Sequence, residues 1–287
     1  MPIPSPQSLL RTHGLRPKNS FGQNFLADAN LTRKIAEEAT HDPGVVVLEL
    51  GAGLGALTDQ LLARGARVVA VERDRELVPV LREIFEPYRR EGQLTIVEAD
   101  AKTLDWEQAL ESQLGGSTGR WVVAGNLPYQ ITGPLLEKTV GLASRLSRAV
   151  FLLQKEVADR LVATPGTKSY GALGVFTQAQ FEVRRAFSIG RASFVPQPRV
   201  DSAVVVLEPR RTPVAEETSA FRRVVKSAFA ARRKTLRNAW KGLLPGPGLQ
   251  LLAESCGIDL ELRGETLSVE EFAKVARALS EAEGDGR

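Results

Sequence analysis

From residue 44 onward, short β-branched runs alternate with longer stretches in which apolar residues return every three or four positions. The runs GVVVLEL (44–50), ARVVAVE (66–72), QLTIVEAD (93–100), RWVVAGN (120–126) and RAVFLLQ (148–154) predict strands. Their apolar positions are nearly continuous, as in strands covered on both faces. Between them ALTDQLLARG, RELVPVLREIF and PLLEKTVGLASRL have helical spacing. A further helix is predicted ahead of the first strand, capped by Asp28 and carrying Leu31, Ile35 and Ala39 on one face. Such alternation implies a parallel sheet with helical crossovers.

The pattern changes after Gly174. VFTQAQFEVRRAF (175–187) and SAVVVLEP (202–209) are separated by a segment too short for a typical crossover helix, and they predict an antiparallel addition to the sheet edge. EPRRTPVAEE (208–217) looks like a linker, and FRRVVKSAFAARRKTLRNAW, LQLLAESCG and SVEEFAKVARALSEA beyond it all have helical periodicity. The expected fold class is α/β, a Rossmann-like domain with a mixed, mostly parallel sheet over residues 1–208, followed by a small all-helical domain over 209–287.

Composition narrows the function classes. The chain has 287 residues, 43% of them hydrophobic and 25% charged, with no apolar run near the roughly 18 residues that suggest a membrane span. Its start, MPIPSPQSLLRTHG, has no charged segment followed by an apolar one, so no secretory leader is expected. A single cysteine, Cys256, permits neither an intrachain disulfide nor a cysteine metal cluster, and two histidines offer little for zinc; no metal is expected, and the location expected is cytoplasmic. The net charge of +4 suits a polyanionic partner or simply a solvated surface.

The turn ELGAGLGALT (49–58) joins the first sheet strand to the next helix, where open α/β sheets bind ligands. Gly51, Gly53 and Ala56 satisfy dinucleotide spacing, and Glu72 ends the second strand where an acid takes the ribose of NAD. A nicotinamide oxidoreductase therefore stays open here, as does a turn kept only for packing. Asp100 closes the third strand, so three successive strands end at Gly51, Glu72 and Asp100 on one edge. Two acids suit ribose hydroxyls and an adenine amine, disfavour a pyrophosphate, and favour the cationic S-adenosylmethionine. A helix cap for DAKTLDW is the plain alternative for Asp100.

The fourth strand runs out into NLPY, Asn126 to Tyr129, at the same edge. An exocyclic amine on a base is a poor nucleophile because its lone pair is delocalised into the ring. Asn126 offers a side-chain carbonyl, Pro128 biases Leu127 to an extended conformation that can aim its backbone carbonyl inward, and Tyr129 offers a flat face for stacking. Alignment of the methyl group with two acceptors needs no strong general base. An Asn-x-Pro turn leaving a strand is the structural alternative.

FGQNFL, ELGAGLGALT, VERD, EAD, NLPY, LLQKEVADRL, FVPQPRVDSAV and RRKTLRN, in this order and spacing, resemble the ribosomal RNA small-subunit adenine N6,N6-dimethyltransferases from about Lys18 to Phe272. The glycine turn is common among S-adenosylmethionine enzymes, whereas FGQNFL, NLPY and FVPQP together are highly specific. Ala52 departs from the proline that some relatives carry. The resemblance implies a Rossmann-like S-adenosylmethionine-dependent methyltransferase that dimethylates two adjacent adenosines in the 3′-terminal hairpin of small-subunit (16S) rRNA, late in ribosome biogenesis. It also implies that Asn24, Leu26 and Gly51 line the methyl-donor pocket, that Glu72 binds ribose and Asp100 adenine, and that Asn126 touches both donor and target amine. Phe194 would hold the flipped adenine against Tyr129, in the manner of base-modifying enzymes; packing of a loop is the plainer role for it.

Two further expectations concern RNA and access to the crevice. Arg222, Arg223, Lys226, Arg232, Arg233, Lys234 and Arg237, interrupted by apolar residues, read as the cationic face of one helix, either solvated or RNA-binding. KNSFGQNFLAD (18–28) reads as part of a lid over residues 15–28, anchored by Phe21 and Phe25, bent at Gly22, with Lys18 facing the RNA, and mobile until donor or RNA binds. A monomer is expected. The competing function on the same fold is an RNA- or DNA-binding assembly or transcription factor without catalysis.

Overall fold

The computed structural model describes residues 3–41, 44–114 and 119–284. The strands are β1 (Phe25–Leu26), β2 (Val46–Leu50), β3 (Arg67–Glu72), β4 (Leu94–Glu98), β5 (Trp121–Asn126), β6 (Leu146–Gln154), β7 (Phe181–Ile189), β8 (Phe194–Val195) and β9 (Ser202–Pro209). Seven of them form one sheet in the order β4-β3-β2-β5-β6-β9-β7. The pairs β3–β4, β2–β3, β2–β5 and β5–β6 are parallel, and β9 adds antiparallel to β6. The chain leaves β2 to build one side of the sheet through β3 and β4, then returns to β5 on the other side. A crevice is thereby left at the carboxyl ends of β2 and β5, where open sheets take their ligands.

β2 is buried at every position and β3 at all but its first, as their unbroken apolar runs require of strands covered on both faces. The helix Ala29–Ala39 starts as expected, with the Asp28 carboxylate accepting from the N–H groups of Asn30 (2.9 Å) and Leu31 (3.2 Å). Its Ile35, Ala36 and Ala39 join Val47, Leu61, Val68, Ala124 and Val204 in the core.

Three segments differ from the expectations. Residues 175–180 lie in a helix, Ala172–Gln180, and the strand begins only at Phe181. The alternation in VFTQAQF resembles a strand, but burial extends to consecutive positions, Gly174 with Val175 and Ala179 with Gln180, and the Gly174 backbone lies so close to the Arg160 carbonyl that a Cβ would meet it at 2.7 Å. The boundary at residue 208 is crossed more than once: one compact unit runs to Ala158 and includes Arg184–Glu208, while Asp159–Val183 joins the unit that continues from Pro209. Tyr170, Val175 and Ala179 are buried in one cluster with Phe221, Val224, Trp240 and Phe272, which explains that allegiance. Finally, residues 219–240 are two helices, Ser219–Ala230 and Leu236–Ala239, broken at Ala231 (φ −135°, ψ 73°). An N-terminal helix, Pro6–Thr12, had no counterpart in the sequence pattern; its Leu9 and Leu10 pack with Phe25, Leu54, Leu77 and Val80.

Candidate active site

The crevice floor is the glycine turn. Gly51, Gly53 and Gly55 take φ of +75°, +60° and +83°, left-handed values that exclude ordinary side chains, so the chain reverses tightly after β2. The exposed backbone is used at once: the Gly53 N–H donates to Glu72 Oε2 at 2.7 Å, and the Asp74 N–H donates to Oε1 at 2.7 Å. Glu72 is 7% exposed. Burial raises its pKa, and the backbone N–H groups of Asp74, Gly53 and Arg73 oppose that rise. Three backbone donors still leave the carboxylate an acceptor site for a hydroxyl.

Asp100 lines the same crevice and also caps the turn after β4, accepting the Lys102 N–H at 2.9 Å, so capping does not remove it from the site. Its Oδ2 lies 3.3 Å from the Arg73 guanidinium, which in turn stacks over the Phe21 ring at 4.6 Å. Ala99, Ala101, Val71, Ile131 and Leu135 complete an apolar lining around these acids.

The opposite wall is NLPY. The Asn126 amide donates from Nδ2 to the Asn24 carbonyl at 2.9 Å, which fixes the side chain and leaves Oδ1 as an acceptor. The Pro128 carbonyl is committed to the Ile131 N–H and the Thr132 hydroxyl, both at 3.1 Å. By contrast, the Leu127 carbonyl has no partner among the described residues. Tyr129 is held by a 3.2 Å hydrogen bond between its hydroxyl and Ser202 of β9, and burial raises the phenol's pKa against that hydrogen bond. Ser202 carried no signal in the sequence beyond its motif.

Residues 18–25 lie against the crevice. Phe21, Gly22, Gln23, Asn24 and Phe25 line it; Gly22 turns with φ +63°, and the Phe25 ring packs so close to Gly53 that a Cβ there would meet it at 3.2 Å. Lys18, expected to face the RNA, is 31% exposed and ion-paired, its ammonium 2.7 Å from Asp74 and 3.1 Å from Glu76.

The structure therefore gathers Asn24, Gly51, Glu72, Asp100, Asn126, Leu127, Pro128 and Tyr129 at one crevice. Leu26 and Phe194 are exceptions. They face each other in the antiparallel pair of β1 and β8 with both side chains buried in the core, because apolar side chains next to a core gain more from burial than from exposure at its rim; Leu26 also borders the adjoining hollow with Gly51, Gly53 and Asn126. Phe194 thus has the plainer of its two expected roles here, packing a loop against the core. The cationic residues divide as well. Arg222, Arg223, Arg232 and Arg237 pair with Glu217, Glu283, Glu265 and Glu261, whereas Lys226, Arg233 and Lys234 are exposed with no ion pair among the described residues. A single cationic helix face is replaced by three free charges flanking the break at Ala231.

One buried acid below the turn was not singled out in the sequence. Glu49 is 1% exposed, and its Oε2 accepts the Thr58 hydroxyl at 2.6 Å. Burial, added to by the Glu72 charge, pushes its pKa from 4.5 to about 8 against the Thr58 hydrogen bond. Because the folded value lies above the unfolded one, the neutral acid's contribution to stability is full below pH 4.5 and is lost as pH rises through about 8. Glu49→Gln keeps a partner for Thr58 and removes that loss. Its unfolding free energy should gain on the wild type between pH 5 and 8 by on the order of 1 kcal/mol per pH unit; parallel pH profiles would contradict the assignment.

The family model described as ribosomal RNA adenine dimethylase matches residues 14–281. A ribosomal RNA small subunit methyltransferase A of Geobacter metallireducens is 46% identical over 276 residues, covering 94% of this chain and 98% of that protein. Among solved structures, a dimethyladenosine transferase from Plasmodium falciparum superposes with a TM-score of 0.75 at 25% identity over 91% of this chain and 98% of the other. The 23S rRNA methyltransferase ErmE does so at 0.66 and 26%, over 90% and 100%.

Proposed function

The chain belongs to the ribosomal RNA adenine dimethylase family, and from that premise we infer how its own residues carry out S-adenosylmethionine-dependent N6,N6-dimethylation of two adjacent adenosines in the 3′-terminal hairpin of small-subunit (16S) rRNA. The observation that carries the reading is the pinned Asn126 beside the Leu127 carbonyl: two acceptors on the wall facing Glu72 and Asp100 across one crevice.

The donor set fits the methyl donor. Glu72 would take the ribose hydroxyls and Asp100 the adenine amine, for which it must exchange its contact with Arg73; Gly51 leaves the backbone open to the methionine portion. S-adenosylmethionine supplies an electrophilic methyl group on a sulfonium. The chain does the rest by position. Asn126 Oδ1 and the Leu127 carbonyl accept from the two N–H bonds of the target amine, which turns its lone pair toward the methyl. Tyr129, immobilised through Ser202, stacks the base. Once methylated, the nitrogen is acidic enough to lose its proton to water. For the second methylation only one N–H remains, so one acceptor is released. One chain carries every group in this scheme, so a monomer is the working unit, and a ribosomal substrate calls for action in the cytoplasm.

RNA affinity is assigned mainly to Lys226, Arg233 and Lys234, because a phosphate gains most from a cation that need not first give up a carboxylate; Arg222, Arg223, Arg232 and Arg237 contribute at the edge. A factor that binds RNA without catalysis would have no need of Asn126, Glu72 and Asp100 arranged together.

The test is transfer of tritiated methyl groups to small subunits that lack the modification, with the labelled nucleotides mapped. Two adjacent dimethyladenosines are expected; no transfer would overturn the reading. Replacing Lys226, Arg233 and Lys234 together by glutamine should weaken subunit binding about tenfold or more at 0.1 M salt and flatten the salt dependence by up to three counterions. The same loss from replacing only the paired arginines would contradict the division.

A further inference from the structure

The loop after Glu72 reads Arg73, Asp74, Arg75, Glu76, and three of the four side chains are exposed. Asp74 is the exception, with only 3% of its side chain accessible. A carboxylate so buried requires partners. Two of them come from the cover segment more than fifty positions earlier: Lys18 Nζ donates to Oδ1 at 2.7 Å and Gln23 Nε2 donates to Oδ2 at 2.8 Å. The Glu76 N–H adds a third bond at 3.1 Å. Burial alone would raise this carboxyl, yet the hydrogen bonds from Lys18, Gln23 and the Glu76 N–H hold it below the usual range.

The partners are also tied to each other, since Gln23 Oε1 accepts the Lys18 N–H at 2.7 Å. Inward, the same residue touches the cofactor wall: the Asp74 N–H is the donor to Glu72 Oε1, whose companion oxygen holds Gly53. A continuous set of hydrogen bonds therefore runs from the glycine turn through Glu72 and Asp74 to residues 18 and 23. Nothing in the methyl-transfer scheme requires Asp74. Surface appeal to solvent cannot explain it either, because its charge is withdrawn from water.

We infer that Asp74 is a positioning residue that clasps residues 18–23 over the crevice and couples that cover to the ribose-binding carboxylate. The inference rests on the placement of the methyl donor against Glu72 proposed above. Retention of the donor then depends on Asp74 and Lys18, which the transfer scheme places against neither the donor nor the target base. Asp74→Asn is nearly isosteric but presents an amide donor where Lys18 or Gln23 already donates, so it opens one side of the clasp. Lys18→Met keeps the side-chain length and removes the charge.

Calorimetric titration with S-adenosylhomocysteine and chymotryptic cleavage at Phe21 and Phe25 read the clasp directly. Asp74→Asn and Lys18→Met should each weaken binding about ten- to thirtyfold, and the double variant should lose little more than either alone, because both break the same link. Ligand should protect residues 21–25 in the wild type and much less in the variants, while KM for S-adenosylmethionine rises more than kcat falls. Wild-type affinity and wild-type protection in Lys18→Met would overturn the inference, even if Asp74→Asn fails to fold. Loss of thermal stability in both variants with unchanged affinity would overturn it too, leaving Asp74 a purely structural acid. A wild-type protein that binds no S-adenosylhomocysteine would overturn both this inference and the methyl-donor site on which it rests.

Discussion

Asn126→Ala is expected to lower methyl transfer by about 10²–10³-fold while leaving affinity for the small subunit nearly unchanged. The magnitude is that of removing one preorganised polar group from a water-excluded site where it meets charge developing in the transition state. Subunit affinity is spared because the free cations lie on the helical unit, far along the chain from residue 126. A second effect follows from the structure alone: the alanine also loses the 2.9 Å bond to the Asn24 carbonyl, so donor affinity should fall severalfold. Asn126→Asp separates the two roles, since a carboxylate still accepts from the amine but cannot donate to Asn24. It should regain part of the turnover at a raised KM for the donor. Single-turnover rates and donor titrations on both variants test this; undiminished product from Asn126→Ala would remove NLPY from the mechanism.

Gly125→Ala is expected to be nearly as damaging for a different reason. A Cβ at residue 125 would lie 2.4 Å from the Leu50 carbonyl oxygen and 3.3 Å from its carbonyl carbon. Both belong to the backbone of the neighbouring strand, which cannot swing away as a side chain can. At Gly55, by contrast, the closest atoms belong to the Phe85 ring and the Leu81 side chain. Relief at residue 125 must come from parting β2 and β5 at the point where one releases Gly51 and the other Asn126. A destabilisation of about 3 kcal/mol is expected, at the upper end of ordinary overpacking, together with a loss of donor binding larger than the unfolded fraction explains. Urea midpoints and donor titration on the same preparation distinguish the two losses. A Gly125→Ala protein with wild-type stability and donor affinity would show that the strand ends yield without disturbing the crevice.

The reacting edge was legible because each of its parts is local. Gly51, Glu72, Asp100 and Asn126 each follow a β-branched run, and parallel strands joined by helices must bring all their carboxyl ends to one side. The cover segment was legible from its composition and position, including the bend at Gly22. Its polar anchoring was not. Asp74 reads as one charge among four in RDRE, and nothing near it in the chain announces Lys18 or Gln23 as partners. The burial of the Phe194 and Leu26 side chains was not legible for a related reason: apolar residues in a site motif can line the site or support it from behind, and the pairing of β1 with β8 turns both side chains into the core. The cationic run was overestimated because its neutralising acids lie elsewhere, Glu283 sixty positions beyond Arg223 and Glu261 twenty-four beyond Arg237.

By itself the sequence determined the order of the elements, the parallel sheet, the edge at which chemistry occurs and the residue types offered there. Those follow from periodicity, turn residues and backbone restriction, which act over a few positions. Tertiary structure alone decided that residues 159–183 belong with the C-terminal helices, that residues 175–180 form a helix, which side chains face the crevice, which of seven cations remain free, and that a buried aspartate ties the cover to the ribose acid. Burial and charge pairing depend on groups tens of residues apart, whose approach is set by packing of the whole core rather than by any stretch of chain.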